Sequence, residues 1–537
     1  MTFRERIRLI SQKKQNSILS ASLVLAVTFG ISSILGLLRN RFLYARFYSC
    51  CVAQLDVYNA AFRVPDLIFK LLVTGVLSAS FIPVFSSCLH KSKKTADELA
   101  STVINILLIA FSIISLIAFI FIKPISSLIA AGFTPDQLIL MANLSRILLF
   151  AQIFFLLSNF ITAILQVNQI FIVPALSPIV YNLFIIIGIF TLAPTFGIYG
   201  VAIGTVIGAF FHLAIQIPVL RRQGFSYFFK INLKIAGVKE IFQLMIPRIL
   251  SLGLGEIEST VTLFFASTLA SGSISLLNLA LQFMYLPSRI FGTTVGQASL
   301  PALSKNIAGN DLDSFRNTVN KIITQSLFIA LPISALILVE RVSIIRILYG
   351  SQEFPWSATI LTSRILAFLI PGIVCQAIIQ ILIRAFYALH NTKIPFMVSI
   401  VSLVFDILFS FYFVRFTSLG VIGLAISASI GNLIQMFGLL IMFIRIVDGF
   451  SWSAMFGKFY KILVSSVLAG VVSWLSIKFL DLFILDTSRF VPVFTLMVIS
   501  SLIGLITYIF AVVFLKMDEI KDYQNYYVKF KDFIFRR

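Results

Sequence analysis

ILLFAQIFFLLSNFITAILQVNQIFIVPALSPIVYNLFIIIGIFTLAPTFGIYGVAIGTVIGAFFHLAIQIPVL, residues 147–220, contains no Asp, Glu, Lys or Arg between Arg146 and Arg221. Only the polar turn Gln166 to Gln169 and the Pro194–Gly197 corner break it. A helix needs about 20 apolar residues to cross the hydrocarbon core of a bilayer. Backbone N–H and C=O groups find no water there, which leaves helices or a closed barrel. Long apolar runs without two-residue alternation decide for helices.

The pattern extends in both directions. Uncharged intervals also separate Lys14 from Arg39, Lys70 from Lys91, Glu98 from Lys123, Glu258 from Arg289, Arg415 from Arg445 and Arg489 from Lys516. Spans are predicted near 16–38, 64–89, 100–122, 138–165, 173–192, 199–220, 240–270, 273–300, 319–339, 358–388, 395–414, 419–444, 459–480 and 491–515. Across 537 residues, 59% are hydrophobic and 12% charged, against about 25% charged in a soluble domain. So little charge cannot keep a chain of this length in water. The fold class is an all-α polytopic membrane protein of about fourteen transmembrane helices.

Basic residues set the expected orientation. Arg4, Arg6, Arg8, Lys13 and Lys14 precede the first span, which is long enough to cross and is read as a retained helix, not a cleaved signal. Other Lys and Arg collect at 91–94, 221–234, 305–321, 393, 445–461 and from 516 onward, each after an even number of helices. Both termini are therefore expected on the cytoplasmic side of a bacterial inner membrane. Arg39, Arg41, Arg46 and Arg63 break this pattern, in an expected outer loop after the first span. The net charge of +21 reflects topology and does not point to nucleic acid. Cys50, Cys51, Cys88 and Cys375 lack metal-ligand spacing, and a Cys50–Cys51 bridge would be strained.

An internal repeat organises the chain. Gly197, Gly200 and Gly208 align without gaps to Gly420, Gly423 and Gly431, and Pro174 and Pro395 open the preceding helices at nearly the same offset. Small residues at this spacing let helices approach closely in lipid. The collinear Pro and Gly pattern predicts two pseudo-symmetric six-helix lobes, 1–222 and 223–446. An extra helix pair over 447–515 and a basic cytoplasmic tail over 516–537 follow. Duplicated lobes around a central site are a recurring transporter plan, with access alternating as one rocks against the other.

Charge at membrane depth is costly and usually faces a polar cavity or a partner. Arg39 ends the first span, and Asp56, Arg63, Asp66 and Lys70 surround the second, the last three sharing one helical face. The seventh span holds Arg248, Glu256 and Glu258, with Gly253 and Gly255 permitting a bend. Gln282 and Arg289 lie two turns apart on the eighth, and Asp406 stands alone in the eleventh. Several cations together suit an anion, and Arg pairs well with pyrophosphate. No triad, HExxH motif, P-loop or metal cluster appears, and the histidines are His90, His212 and His390, so neither an enzyme nor a cofactor is expected.

Several blocks in order resemble the MurJ (MviN) lipid II flippase family of the multidrug/oligosaccharidyl-lipid/polysaccharide exporter superfamily. They are Leu35-Gly36 with Arg39; Asp56 and Ala61 to Leu67; Gly75, Ser78 and Phe81 to Val84; Leu269 to Ser275; Leu286-Pro287, Gly292 and Leu300 to Ser304; and Arg384 to Pro395. The resemblance implies a two-lobe exporter fold. Helices 1, 2, 7 and 8 would line a cationic cavity, and helices 13 and 14 would form a groove for a polyprenyl tail. The implied substrate is lipid II, an undecaprenyl-pyrophosphate carrying a disaccharide-peptide. Arg39, Asp56, Asp66 and Lys70 fall on positions important in the family. Three family arginines are replaced here by Ser33, Phe69 and Gln282, while Arg41, Arg248 and Arg289 are cations the pattern does not contain.

The combined expectation is a lipid II flippase working by alternating access for cell-wall synthesis. Its substrate-binding candidates are Arg39, Asp56, Arg63, Asp66, Lys70, Gln282, Arg289 and Arg248, on the hypothesis that positive charge has moved, not vanished. Glu256, Glu258 and Asp406 are candidates for coupling to membrane potential, H+ or Na+. Partners are lipid II, membrane lipids and cell-wall synthesis proteins. The rival readings are an exporter of another polyprenyl-pyrophosphate-linked oligosaccharide and a non-transporting scaffold for envelope enzymes.

Overall fold

The computed structural model describes residues 18–447, 452–487 and 489–517. The chain divides into two compact units, one of residues 1–275 with 351–354, the other of residues 276–350 with 355–537.

In the first unit, α1 (Ile18–Ala61) kinks at Cys51, whose backbone leaves the helical region at φ −150°, ψ 43°. The expected outer loop is therefore a correction: Arg39, Arg41 and Arg46 ride on a helix that continues well past the predicted end of the first span. Cys50 and Cys51 are free thiols. Next, α2 (Arg63–Phe69) passes through two π-helical stretches, Lys70–Thr74 and Leu77–Phe81, into α3 (Ile82–Lys91). Wide turns of this kind often mark functional sites.

The unit continues through α4 (Lys93–Ile129), α5 (Pro135–Val167), α6 (Ile172–Thr191), α7 (Ala193–Phe196), α8 (Ile198–Ala214), α9 (Ile217–Arg222) and α10 (Ala236–Ser267). Thr134 and Gln137 form a capping box at the start of α5, each side chain satisfying the other residue's backbone N–H. Phe81 packs its ring on Phe85 and Phe160, all three fully buried. A Cβ on Gly188 of α6 would stand 2.9 Å from Gly204 Cα of α8, so only the missing side chains allow these backbones to approach. Glycines 253 and 255 meet nothing in this way, and α10 runs through them as one helix.

The second unit takes α11 (Ser273–Ser288) after its first turn, then a π-helical stretch Arg289–Thr294 and α12 (Val295–Ala308). It continues through α13 (Leu312–Tyr349), α14 (Trp356–Ala388), α15 (Lys393–Phe416), α16 (Val421–Ile446), α17 (Trp452–Phe483) and α18 (Phe490–Phe514). Phe315, Phe386 and Phe443 anchor its core. Gly470 of α17 seats against Ala335 and Val339 of α13, and Gly504 of α18 against Leu336.

The repeat reappears in backbone conformation. Gly197 (φ 56°, ψ −137°) precedes α8 and Gly420 (φ 56°, ψ −130°) precedes α16, a geometry that a Cβ strongly disfavours. Among the described residues, ten helices are long and apolar enough to cross a membrane. The other four predicted spans fall on α1, on α2–α3, on α10 and on α11–α12. Outward-facing Leu116, Ile120 and Phe121 of α4 and Phe510, Val513 and Phe514 of α18 show the apolar exterior of a protein whose solvent is lipid.

Candidate functional site

A cavity of about 790 Å³ lies within the first unit. Its lining includes Arg39, Asp66, Lys70 and Glu256, the amides Asn40, Asn59, Gln152 and Asn159, and the rings of Tyr58, Phe62, Phe69, Phe155 and Tyr181.

Arg39 reaches it from α1. Its guanidinium donates to Asn40 Oδ1 at 2.9 and 3.1 Å and to Asn182 Oδ1 at 3.1 Å. Asn182 is aimed by its own amide, which donates to the Pro178 carbonyl at 3.1 Å and the Ser32 carbonyl at 3.3 Å. Both acceptors of Arg39 are neutral, so its charge has no carboxylate counter-ion among the described residues.

The shared face of α2 works differently. Arg63 forms an ion pair with Glu256 of α10 at 2.6 Å and also donates to the Glu256 carbonyl at 2.5 Å and to Thr260 Oγ1 at 2.8 Å. Lys70, at the head of the first π-helical stretch, reaches the other oxygen of the same carboxylate at 3.1 Å. Glu256 thus holds two cations, one 10% exposed and the other 45%. Asp66, between them in sequence, turns to α5 and accepts from Gln152 Nε2 at 2.8 Å. Formally, Arg39 and Lys70 balance Asp66 and Glu256 around this cavity. The surplus positive charge expected from the resemblance is not what lines it.

The remaining candidates are distributed. Asp56 is buried outside the cavity lining, where its two oxygens accept from the backbone N–H of Gly272 at 2.5 Å and Ser275 at 2.8 Å. Glu258 is exposed on α10. Gln282, half-buried, and Arg289, exposed, belong to the second unit, two turns apart along α11 up to the residue where the π-helical stretch starts. Asp406 is also in the second unit, buried and accepting from Ser427 Oγ at 2.8 Å. The Arg248 side chain, the basic N-terminal residues 4–14 and the tail beyond Met517 lie outside the described residues. At two of the substituted arginine positions, Ser33 bonds to its own helix at the Phe29 carbonyl and Phe69 presents its ring to the cavity against Phe155.

Residue-by-residue reading of charge missed Gln152, Asn159 and Asn182. All three stand inside the uncharged run 147–220, where a lone amide among apolar neighbours was the available signal.

Fold and site together define a multi-pass helical membrane protein with an ion-paired cavity among the helices of its first unit, the plan of a transporter. The chain belongs to the lipid II flippase MurJ family, which it matches over residues 52–515. It is 26% identical over 506 residues to a probable lipid II flippase MurJ of Bdellovibrio bacteriovorus, covering 93% of this chain and 94% of that protein. A solved lipid II flippase MurJ in an inward closed conformation superposes with a TM-score of 0.75 at 26% identity, covering 92% of this chain and 99% of that one. An inward-facing multidrug resistance MATE family transporter of the MOP superfamily shares the fold, with a TM-score of 0.65 at 18% identity over 81% of this chain and 99% of its own. As a member of the family, the chain is a multi-pass protein of the inner membrane.

Proposed function

We propose that this chain is a flippase that moves lipid II from the cytoplasmic to the outer leaflet by alternating access, supplying precursor for cell-wall synthesis. One observation carries the reading: in a chain of this family, Arg39 lines a cavity of about 790 Å³ with its guanidinium hydrogen-bonded to neutral amides and to no carboxylate among the described residues. A guanidinium so placed binds a diphosphate through paired hydrogen bonds. Aromatic and amide side chains beside it suit the sugar that follows.

Substrate entry then exchanges partners. Lys70 leaves Glu256 for the diphosphate, while Arg63 stays anchored by the Glu256 carbonyl and Thr260. The work is binding and reorientation, with no bond made or broken in the lipid. Asp406 with its serine partner is a candidate coupling group for H+ or Na+ in this reading. Both termini face the cytoplasm, in keeping with the distribution of Lys and Arg.

The test is depletion of the chain in its native host, followed by assay of lipid II accessibility on each membrane face. Accumulation on the cytoplasmic face, reversed by the wild-type chain but not by Arg39→Ala, is expected. Unchanged distribution would overturn the assignment.

A further inference from the structure

Glu340 lies one residue beyond the predicted 319–339 span, on α13 of the second unit, and only 1% of it is exposed. It faces the seam where α17 and α18 pack on α13, within about a turn of the contacts of Gly470 with Ala335 and Val339 and of Gly504 with Leu336. Its Oε1 is hydrogen-bonded to Ser500 Oγ of α18, and its Oε2 has no partner. Ser343, one turn along α13, is the other polar group beside the carboxyl. Among the described residues no charged side chain of α13, α14, α17 or α18 forms an ion pair with it, and the neighbouring Arg341 turns back to the Leu338 carbonyl.

The protons at Ser500 decide the chemistry. A serine hydroxyl has one proton, and the Leu496 carbonyl lies 2.7 Å from Ser500 Oγ in the usual back-bonding position on the same helix. If Ser500 donates there, its contact with Glu340 needs a proton from the carboxyl group. A neutral acid also tolerates an unpartnered carbonyl oxygen far better than a buried carboxylate tolerates an unpartnered charge. We propose that Glu340 is a proton-binding site, a carboxylic acid that donates to Ser500 while Ser500 donates to Leu496. Losing the proton would leave a buried charge with serine hydroxyls but no cation beside it, so proton exchange requires the α13/α17/α18 seam to open. The site is separate from the cavity and does not rest on the identity of the transported lipid.

Infrared difference spectra of the full-length protein in lipid nanodiscs, wild type minus Glu340→Gln, test this. At neutral pH the wild type should show a protonated-carboxyl C=O band that shifts in D2O, fades as the pH becomes alkaline and is lost in the variant. Carboxylate bands in its place at neutral pH would overturn the proposal. So would loss of the band on adding Na+ at constant pH, which would make the ligand a metal cation. Thermal unfolding gives a second readout, since Gln keeps the shape of the neutral acid. Wild-type stability should fall with rising pH relative to Glu340→Gln, and parallel curves would refute the proton site.

Discussion

In the proposed exchange Glu256 is the internal anion that a diphosphate displaces from Lys70, so Glu256→Gln should tighten anion binding although it removes two ion pairs. Lys70 and Glu256 stand 3.1 Å apart. At an effective dielectric constant near 20 their gross attraction is about 5 kcal/mol. Lys70 is 45% exposed, so solvent screening and desolvation reduce the net value to about 1–2 kcal/mol. Releasing that competition corresponds to about tenfold tighter binding. Arg63 keeps its bonds to the residue-256 carbonyl and to Thr260, which limits collateral damage to the fold. The assay is titration of inorganic pyrophosphate into the purified protein in nanodiscs, followed by lipid II flipping with the same variant. Binding should tighten while flipping slows, because the carboxylate no longer helps to expel the bound anion. Unchanged or weaker pyrophosphate binding by a normally folded Glu256→Gln protein would refute the exchange.

Three further outcomes follow from the geometry. Arg39→Lys keeps the charge but loses the planar fork that spans Asn40 and Asn182; lipid II flipping should drop by about tenfold or more, and a wild-type rate would refute this. Asp56→Asn removes the charge and one of the two oxygens serving Gly272 and Ser275. It should cost about 1.5–3 kcal/mol in unfolding with pyrophosphate binding unchanged, and a binding defect in a stable protein would place Asp56 in substrate recognition instead. Gly197→Ala and Gly420→Ala each force a Cβ onto a φ of 56° and should lower stability by about 1–3 kcal/mol. Gly30→Ala, with nothing within 4 Å of the new atom, should be tolerated in the same thermal assay.

Hydropathy located the membrane helices well where charge was absent and poorly where it was not. Arg39, Arg41 and Arg46 made the second half of α1 look like a loop, because the same residues mark a membrane boundary in lipid-facing helices and a lined cavity in internal ones. The common face of Arg63, Asp66 and Lys70 was legible from helical spacing, yet the face divides: the two cations reach Glu256 and the acid reaches Gln152. Asp56 shows the same limit. A buried acid in a charged neighbourhood suggests substrate contact, but its oxygens are taken up by two backbone N–H groups.

By itself the sequence determined that this chain lives in a bilayer as a set of helices, since uncharged runs of that length have no other way to satisfy their backbone. It also carried the glycine pairs that repeat in α8 and α16, because a positive φ is a demand that one residue type meets locally. Only the tertiary structure decided which charges are free. Arg39 finds its amide 143 residues away and Arg63 its carboxylate 193 residues away, and a hydrogen bond or ion pair exists only when folding brings two such atoms within about 3 Å.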